Sequence, residues 1–181
     1  PQPLCAHVIR TLYAGDNDVT LVESACGASP GELVLHINTE NPTVTTASAD
    51  FVRAAAGAGG WEGQAWDSQI RVPVTTLDAL IARYGAPRFV KIDVEGFEGS
   101  VLEGLTKPLP ALSFEFTTIQ RDVAYDCIRR ISSLGNYAYN IALGESQKLT
   151  FAAPVSGTDM VAHIEALPHA ANSGDVYATL L

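Results

Sequence analysis

The run Arg88-Phe89-Val90-Lys91-Ile92-Asp93-Val94-Glu95-Gly96-Phe97-Glu98-Gly99 restricts this chain more than any other stretch. Phe89, Val90, Ile92 and Val94 supply the aromatic and β-branched residues of a strand. Gly96 stops that strand among acids, and Val101, Leu102 and Leu105 then resume at helical spacing. The pattern predicts a strand, a tight turn and a helix. In an open α/β sheet the ligand crevice lies at the carboxyl ends of the strands, which makes Lys91, Asp93 and Glu95 the first candidates for chemistry. Acids at a helix start also have a plain structural use beside the positive end of the helix dipole. Their alternation with Lys91 argues for more. Residues two apart share a face of a strand, and a lysine with two acids on a buried face is costly to desolvate unless the groups are paired or bound to something.

At 181 residues the chain is read as one domain, long enough for a sizeable core. Its 47% apolar and 17% charged composition is that of a globular protein and excludes a disordered one. A net charge of -9 with no Lys/Arg cluster argues against nucleic acid as a partner. Cys5, Cys26 and Cys127 are odd in number, far apart and without metal-ligand spacing, which reads as free or buried thiols in a reducing compartment. No apolar run approaches the roughly 20 residues a membrane span needs, and the amino end lacks a signal-peptide pattern. The expected location is therefore cytoplasmic. Because the sequence opens at Pro1 within a helix start, it is expected to begin inside a longer natural protein.

Taken in order, Pro3 to Tyr13 predicts a helix, with proline at the first turn. Val19 to Ala25, a turn at 26–31, and Glu32 to Asn38 predict strand, turn, strand. A hydroxyl-rich loop, 41–48, precedes an Ala/Gly-rich stretch from Arg53 to Gly63, expected to be irregular. Ile70 to Val74 is extended, and a helix capped by Thr75 or Thr76 ends at Gly85. After the central strand and its helix come a buried strand (Ala111 to Thr117) and an amphipathic helix (Val123 to Leu134). A hairpin (Tyr137 to Leu143 with Gln147 to Ala152), a short helix (Thr158 to Leu167) and a last strand from Asp175 complete the chain. The order predicts an α/β protein whose sheet is mainly parallel with an antiparallel end.

Val72-Pro73-Val74-Thr75-Thr76-Leu77-Asp78, the central run and Val101-Leu102-Glu103-Gly104 after it, together with Phe114-Glu115-Phe116, occur in the order of the FkbM-type methyltransferase family, which this chain resembles. The resemblance implies a three-layer, Rossmann-like class I methyltransferase fold. It also implies S-adenosyl-L-methionine as cofactor and O-methylation of a hydroxyl on a sugar, polyketide or similar small molecule. Ser24, Ala25 and Cys26, ending the family's third strand, would then lie against the cofactor. The family's glycine-rich loop and the acid that grips the cofactor ribose would fall before Pro1, so the domain is expected to be N-terminally incomplete, lacking the first strand-helix and second strand. Its sheet would then be rearranged or completed by a partner.

On that reading Lys91, Asp93 and Glu95 form the catalytic group, with Asp93 or Glu95 as base, and Thr46, Ser48 and Glu115 contact the substrate. A hydroxyl far above neutral in pKa is poorly matched to an ordinary carboxylate. A divalent cation on Asp93 and Glu95, with Glu115, is an attractive addition, oxygen ligands suiting Mg²⁺ or Ca²⁺; the alternative is that Lys91 neutralises the acids as a structural pair. The competing function is a truncated, non-catalytic binding domain on the same fold. A nicotinamide oxidoreductase lacks its fingerprint glycines, and a hydrolase lacks a nucleophile elbow. The sequence leaves an oligomer open.

Overall fold

A computed structural model describes residues 1–181 and divides the strands between two sheets. Helix α1 (Pro3–Leu12) leads through an irregular segment into the two-residue strand β1 (Ala25–Cys26), then β2 (Gly31–Ile37), α2 (Ala49–Ala55) and β3 (Ser68–Thr75). These strands form a sheet in the order β1-β3-β2, β3 pairing β1 in parallel and β2 antiparallel. Helix α3 (Leu77–Tyr84), held at its start by the Thr76 hydroxyl accepting from the Ala79 amide, leads to β4 (Val90–Ile92). There follow α4 (Glu98–Glu103), β5 (Ala111–Thr117), α5 (Arg121–Leu134), β6 (Tyr137–Leu143), α6 (Gly157–Ala166) and β7 (Ser173–Leu180). The second sheet runs β4-β5-β7-β6, with only β4 and β5 parallel.

The α/β class agrees with the sequence reading, whereas a single, mainly parallel sheet is not what forms. Parallel neighbours need crossover connections; β4-α4-β5 is a direct one, whereas the parallel pair β1 and β3 is joined through β2 and α2. β4 pairs with β5 alone, and its other edge bonds no backbone group. Val19 to Ser24, expected as strand, forms no regular element, and Thr20 to Glu23 form no backbone hydrogen bond at all. β1 and β2 are not neighbours either, because β3 lies between them.

The main core lies between the second sheet and helices α4, α5 and α6, around Phe114, Leu102, Leu112, Ile131, Ile141 and Met160. A smaller cluster gathers Val44, Ala55 and Trp61 around Phe51, whose ring meets that of Trp61 edge-on at 5.0 Å. The first three residues of the stretch expected to be irregular, 53–55, therefore end a helix, α2, because Ser48 caps it and Phe51 buries completely. The expected hairpin after β6 is reduced to isolated bridges, Ala142 to Leu149 and, beyond the expected strand, Tyr139 to Val155. Asn140 instead holds the returning chain, bonding both the amide and the carbonyl of Phe151 at 3.1 and 2.8 Å, while β7 takes the ladder.

Candidate active site

Parallel pairing of β4 with β5 sets Lys91 beside Ser113, which brings Asp93, just past the end of β4, level with Glu115. Antiparallel pairing sets Glu115 directly opposite Asp175 on β7. Three strands thus carry carboxylates to one end of the sheet, and Glu95 adds a fourth from the turn beyond. Carboxylate oxygens of Asp93, Glu95 and Glu115 all lie within 4.8 Å of one another. Lys91 faces the row, 3.4 Å from Asp93 and hydrogen-bonded to Asp175.

This crowding governs protonation. Burial first, then the charges of Glu95 and Asp93 and a hydrogen bond with Asp93, push the Glu115 carboxyl up to about 9. Burial, with the charges of Asp93 and Glu98, raises Glu95 to about 7. Burial alone would lower the Lys91 ammonium, but its bond to Asp175 and the surrounding acids raise it on balance. Near neutral pH the site therefore combines a protonated carboxyl, a half-ionised one and a firmly charged lysine.

Ser24, Ala25 and Cys26 share a cavity of about 340 Å³ with Asp93, Val94, Phe97, Leu35 and Thr45. A second hollow of about 660 Å³ runs along the open edge of β4, walled by Leu77, Leu80, Ile81, Tyr84, Phe89 and Val90, and shares Cys26, Asp93 and Val94 with the first. Asp93 stands where the two meet. Burial pushes the Cys26 thiol up to about 11, so it lines the wall as a small apolar group and not as a nucleophile.

The hydroxyls singled out in the sequence are placed behind the acids. Thr46, 1% exposed, donates to the carbonyl oxygen of Glu95 at 2.6 Å. Ser48 caps α2 by accepting from the Phe51 amide at 3.0 Å. Two residues that the sequence reading did not assign to the site stand beside it. Asp175 lies about 80 positions away from the motif, and its only signal was an acid opening an otherwise apolar strand. Gln120 has a buried side-chain oxygen without a partner and stands against Gly96, where a Cβ would come within 2.5 Å of that oxygen.

An α/β sheet with an acid-lined crevice at its strand ends is the frame of a group-transfer or ligand-binding domain. The family model for the methyltransferase FkbM domain matches residues 1–141, and the chain belongs to that family. Comparison with the curated proteins and with the solved structures gave no match. No helix is long and apolar enough to cross a membrane, and the three cysteines are free.

Proposed function

We propose that this domain transfers a methyl group from S-adenosyl-L-methionine to the hydroxyl of a small molecule, with Glu95 as general base. The observation that carries the reading is the meeting of Asp93, Glu95 and Glu115 within 4.8 Å, beside the cavity lined by Ser24, Ala25 and Cys26, in a chain of the FkbM methyltransferase family. The cavity suits a cationic nucleoside. Ala25, Leu35, Val94 and Phe97 offer apolar contact for an adenine, while Asp93 offers negative charge for a sulfonium. When bound, the cofactor supplies an electrophilic methyl group.

The chain's own residues supply orientation and proton transfer. An acceptor hydroxyl seated by Asp93 and Glu115 loses its proton to the Glu95 carboxylate as its oxygen takes up the methyl group. A carboxyl near 7 is far better matched to that task than an ordinary one. Glu115, still protonated at neutral pH, donates a hydrogen bond and adds no charge. Lys91 pairs with both Asp93 and Asp175 and so sets a positive charge beside the acids. The same three oxygens also form a hard donor set for Mg²⁺ or Ca²⁺, whose charge would relieve the repulsion that raises Glu95 and Glu115.

Thermal unfolding with and without S-adenosyl-L-methionine tests the cofactor. Ligand at about 100 times its dissociation constant stabilises a binder by roughly 2.7 kcal/mol, a shift of order 5–10 °C for a domain of this size. Transfer of labelled methyl to a panel of hydroxylated small molecules, with Mg²⁺ or with chelator, tests reaction and metal. A shift without transfer to any acceptor would favour the non-catalytic binding domain; no shift would remove the cofactor assignment.

A further inference from the structure

Glu95 is one of three non-glycine residues with positive φ, at +53°, and Gly96 follows at +82°. Left-handed backbone is unfavourable for a glutamate and persists only where the surroundings over-determine it. Two buried side chains do so here. The Glu98 carboxylate, 2% exposed, accepts from the amides of Val94 and Gly96, both at 3.2 Å through the same Oε1, and so brackets Glu95 on either side. The Thr46 hydroxyl takes the Glu95 carbonyl oxygen from the opposite direction, at 2.6 Å. Thr46 is itself fixed: its amide and carbonyl both bond His36 of β2, at 3.1 and 2.7 Å, and its hydroxyl accepts from the Ser48 amide at 2.8 Å. The turn cannot relax by a simple side-chain change either, because a Cβ at Gly96 would sit 2.8 Å from the Phe51 ring.

We infer that Thr46 and Glu98 are positioning residues for Glu95, clamping its left-handed backbone between β2 and α4 so that its carboxylate meets Asp93 and Glu115. The clamp is a property of the geometry, and its bearing on turnover rests on the methyl-transfer reading. It gives an acid of the motif that reaches no substrate a definite task, and it makes the first sheet part of the active site of the second.

The test is nuclear magnetic resonance of the labelled protein, following the Glu95 backbone scalar couplings and side-chain carboxyl carbon. Thr46→Val and Glu98→Leu, which remove the hydrogen-bonding groups while keeping bulk, are expected to abolish the left-handed signature of Glu95 and move its carboxyl resonance. Thr46→Ser and Glu98→Gln, which keep a hydroxyl and an acceptor oxygen, are expected to restore both. Folded Thr46→Val protein with wild-type Glu95 signals overturns the inference, and so does Thr46→Ser as disturbed as Thr46→Val, which would mean that packing alone is at stake. If Glu98→Leu does not fold, the Thr46 pair decides. In an active preparation the disrupting variants should lower the transfer rate about 100-fold, the usual effect of misplacing a catalytic group by about 1 Å, with the rescuing pair near wild type. The resonance readout needs no turnover. Absence of transfer by the wild type therefore counts against the proposed reaction alone, and undisturbed Glu95 signals count against the clamp alone.

Discussion

Lys91 lies 3.4 Å from Asp93, just past the end of its own strand, and hydrogen-bonds Asp175 two strands over, with the strand of Glu115 between. One lysine thus offsets the acids of three strands, of which Glu115 and Asp175 stand directly opposite each other, a placement that destabilises a sheet when both are charged. Replacing Lys91 by alanine removes the cationic partner of Asp93 and Asp175 beside the ionising Glu95. The lysine side chain is 39% exposed, so solvent screens its effect and the loss should be about 1 kcal/mol. Chemical denaturation of Lys91→Ala at pH 8 and pH 5 checks this: the deficit should be larger at pH 8, where more of the acids are ionised.

Stability should fall as pH rises from weakly acid to weakly alkaline values. Glu95 and Glu115 have folded pKa values raised from 4.5 to about 7 and about 9. A raised carboxyl favours the folded state fully below 4.5. That contribution declines between the unfolded and folded values as the unfolded chain ionises first, and it is lost above the folded one. The windows are therefore 4.5 to about 7 for Glu95 and 4.5 to about 9 for Glu115. Glu115→Gln removes the wider window. Its melting temperature should vary less with pH than the wild type's and exceed it at pH 8, by roughly 2–4 °C for each kcal/mol of repulsion and burial cost relieved. An unchanged pH profile in Glu115→Gln would place the repulsion elsewhere.

For the proposed reaction, Glu95→Gln keeps size and hydrogen bonding but removes the base. Transfer should fall by about 100- to 10,000-fold at saturating substrate. The wild-type rate should rise with pH through an inflection near 7, the value to which burial and Asp93 raise Glu95, and that inflection should vanish in the variant. Added Mg²⁺, if it is held by the three carboxylates, would move the inflection to lower pH.

Local signals were enough to place most elements. Thr76 before Leu77-Asp78 marked the start of α3, and the strand-turn-helix run marked the acids at the end of β4. Sheet order was not legible, because β propensity in Val19-Thr20-Leu21-Val22 says that a segment is strand-like and not which edge it will meet. Here it meets none. The site was half visible for the same reason. Lys91, Asp93 and Glu95 are adjacent in sequence, but Asp175 joins them only through β7 pairing with β5, and Thr46 reaches Glu95 only because β2 brings it there. Hydroxyls that looked available for a substrate turn out to be engaged by the backbone, a distinction that depends on burial and not on residue type.

The two sheets meet at a glycine whose role is steric. Gly104 follows α4 with φ -77°, a conformation open to any residue, so nothing in its own backbone calls for glycine. Its surroundings do. A Cβ there would lie 2.3 Å from the carbonyl oxygen of Gly27, just after β1, and 3.1 Å from the Thr76 side chain that caps α3. The Gly104 carbonyl also accepts from the Asp78 amide at 3.0 Å, and Asp78 in turn holds the amide and hydroxyl of Thr106 at 3.0 and 2.6 Å. Backbone oxygen is not a flexible side-chain end that can move aside, so Gly104→Ala must shift β1 relative to α4. The expected cost is about 1–3 kcal/mol, typical of overpacking at a close contact, against gains of up to about 1 kcal/mol from a less flexible unfolded chain. Chemical denaturation should show the net loss. Gly59→Ala, at a position with open space around it, is the control expected to stay within about 0.5 kcal/mol of wild type. Because β1 carries Ala25 and Cys26 into the cavity beside Asp93, Gly104→Ala should also weaken S-adenosyl-L-methionine binding measured by calorimetry, whereas Gly59→Ala should leave it intact.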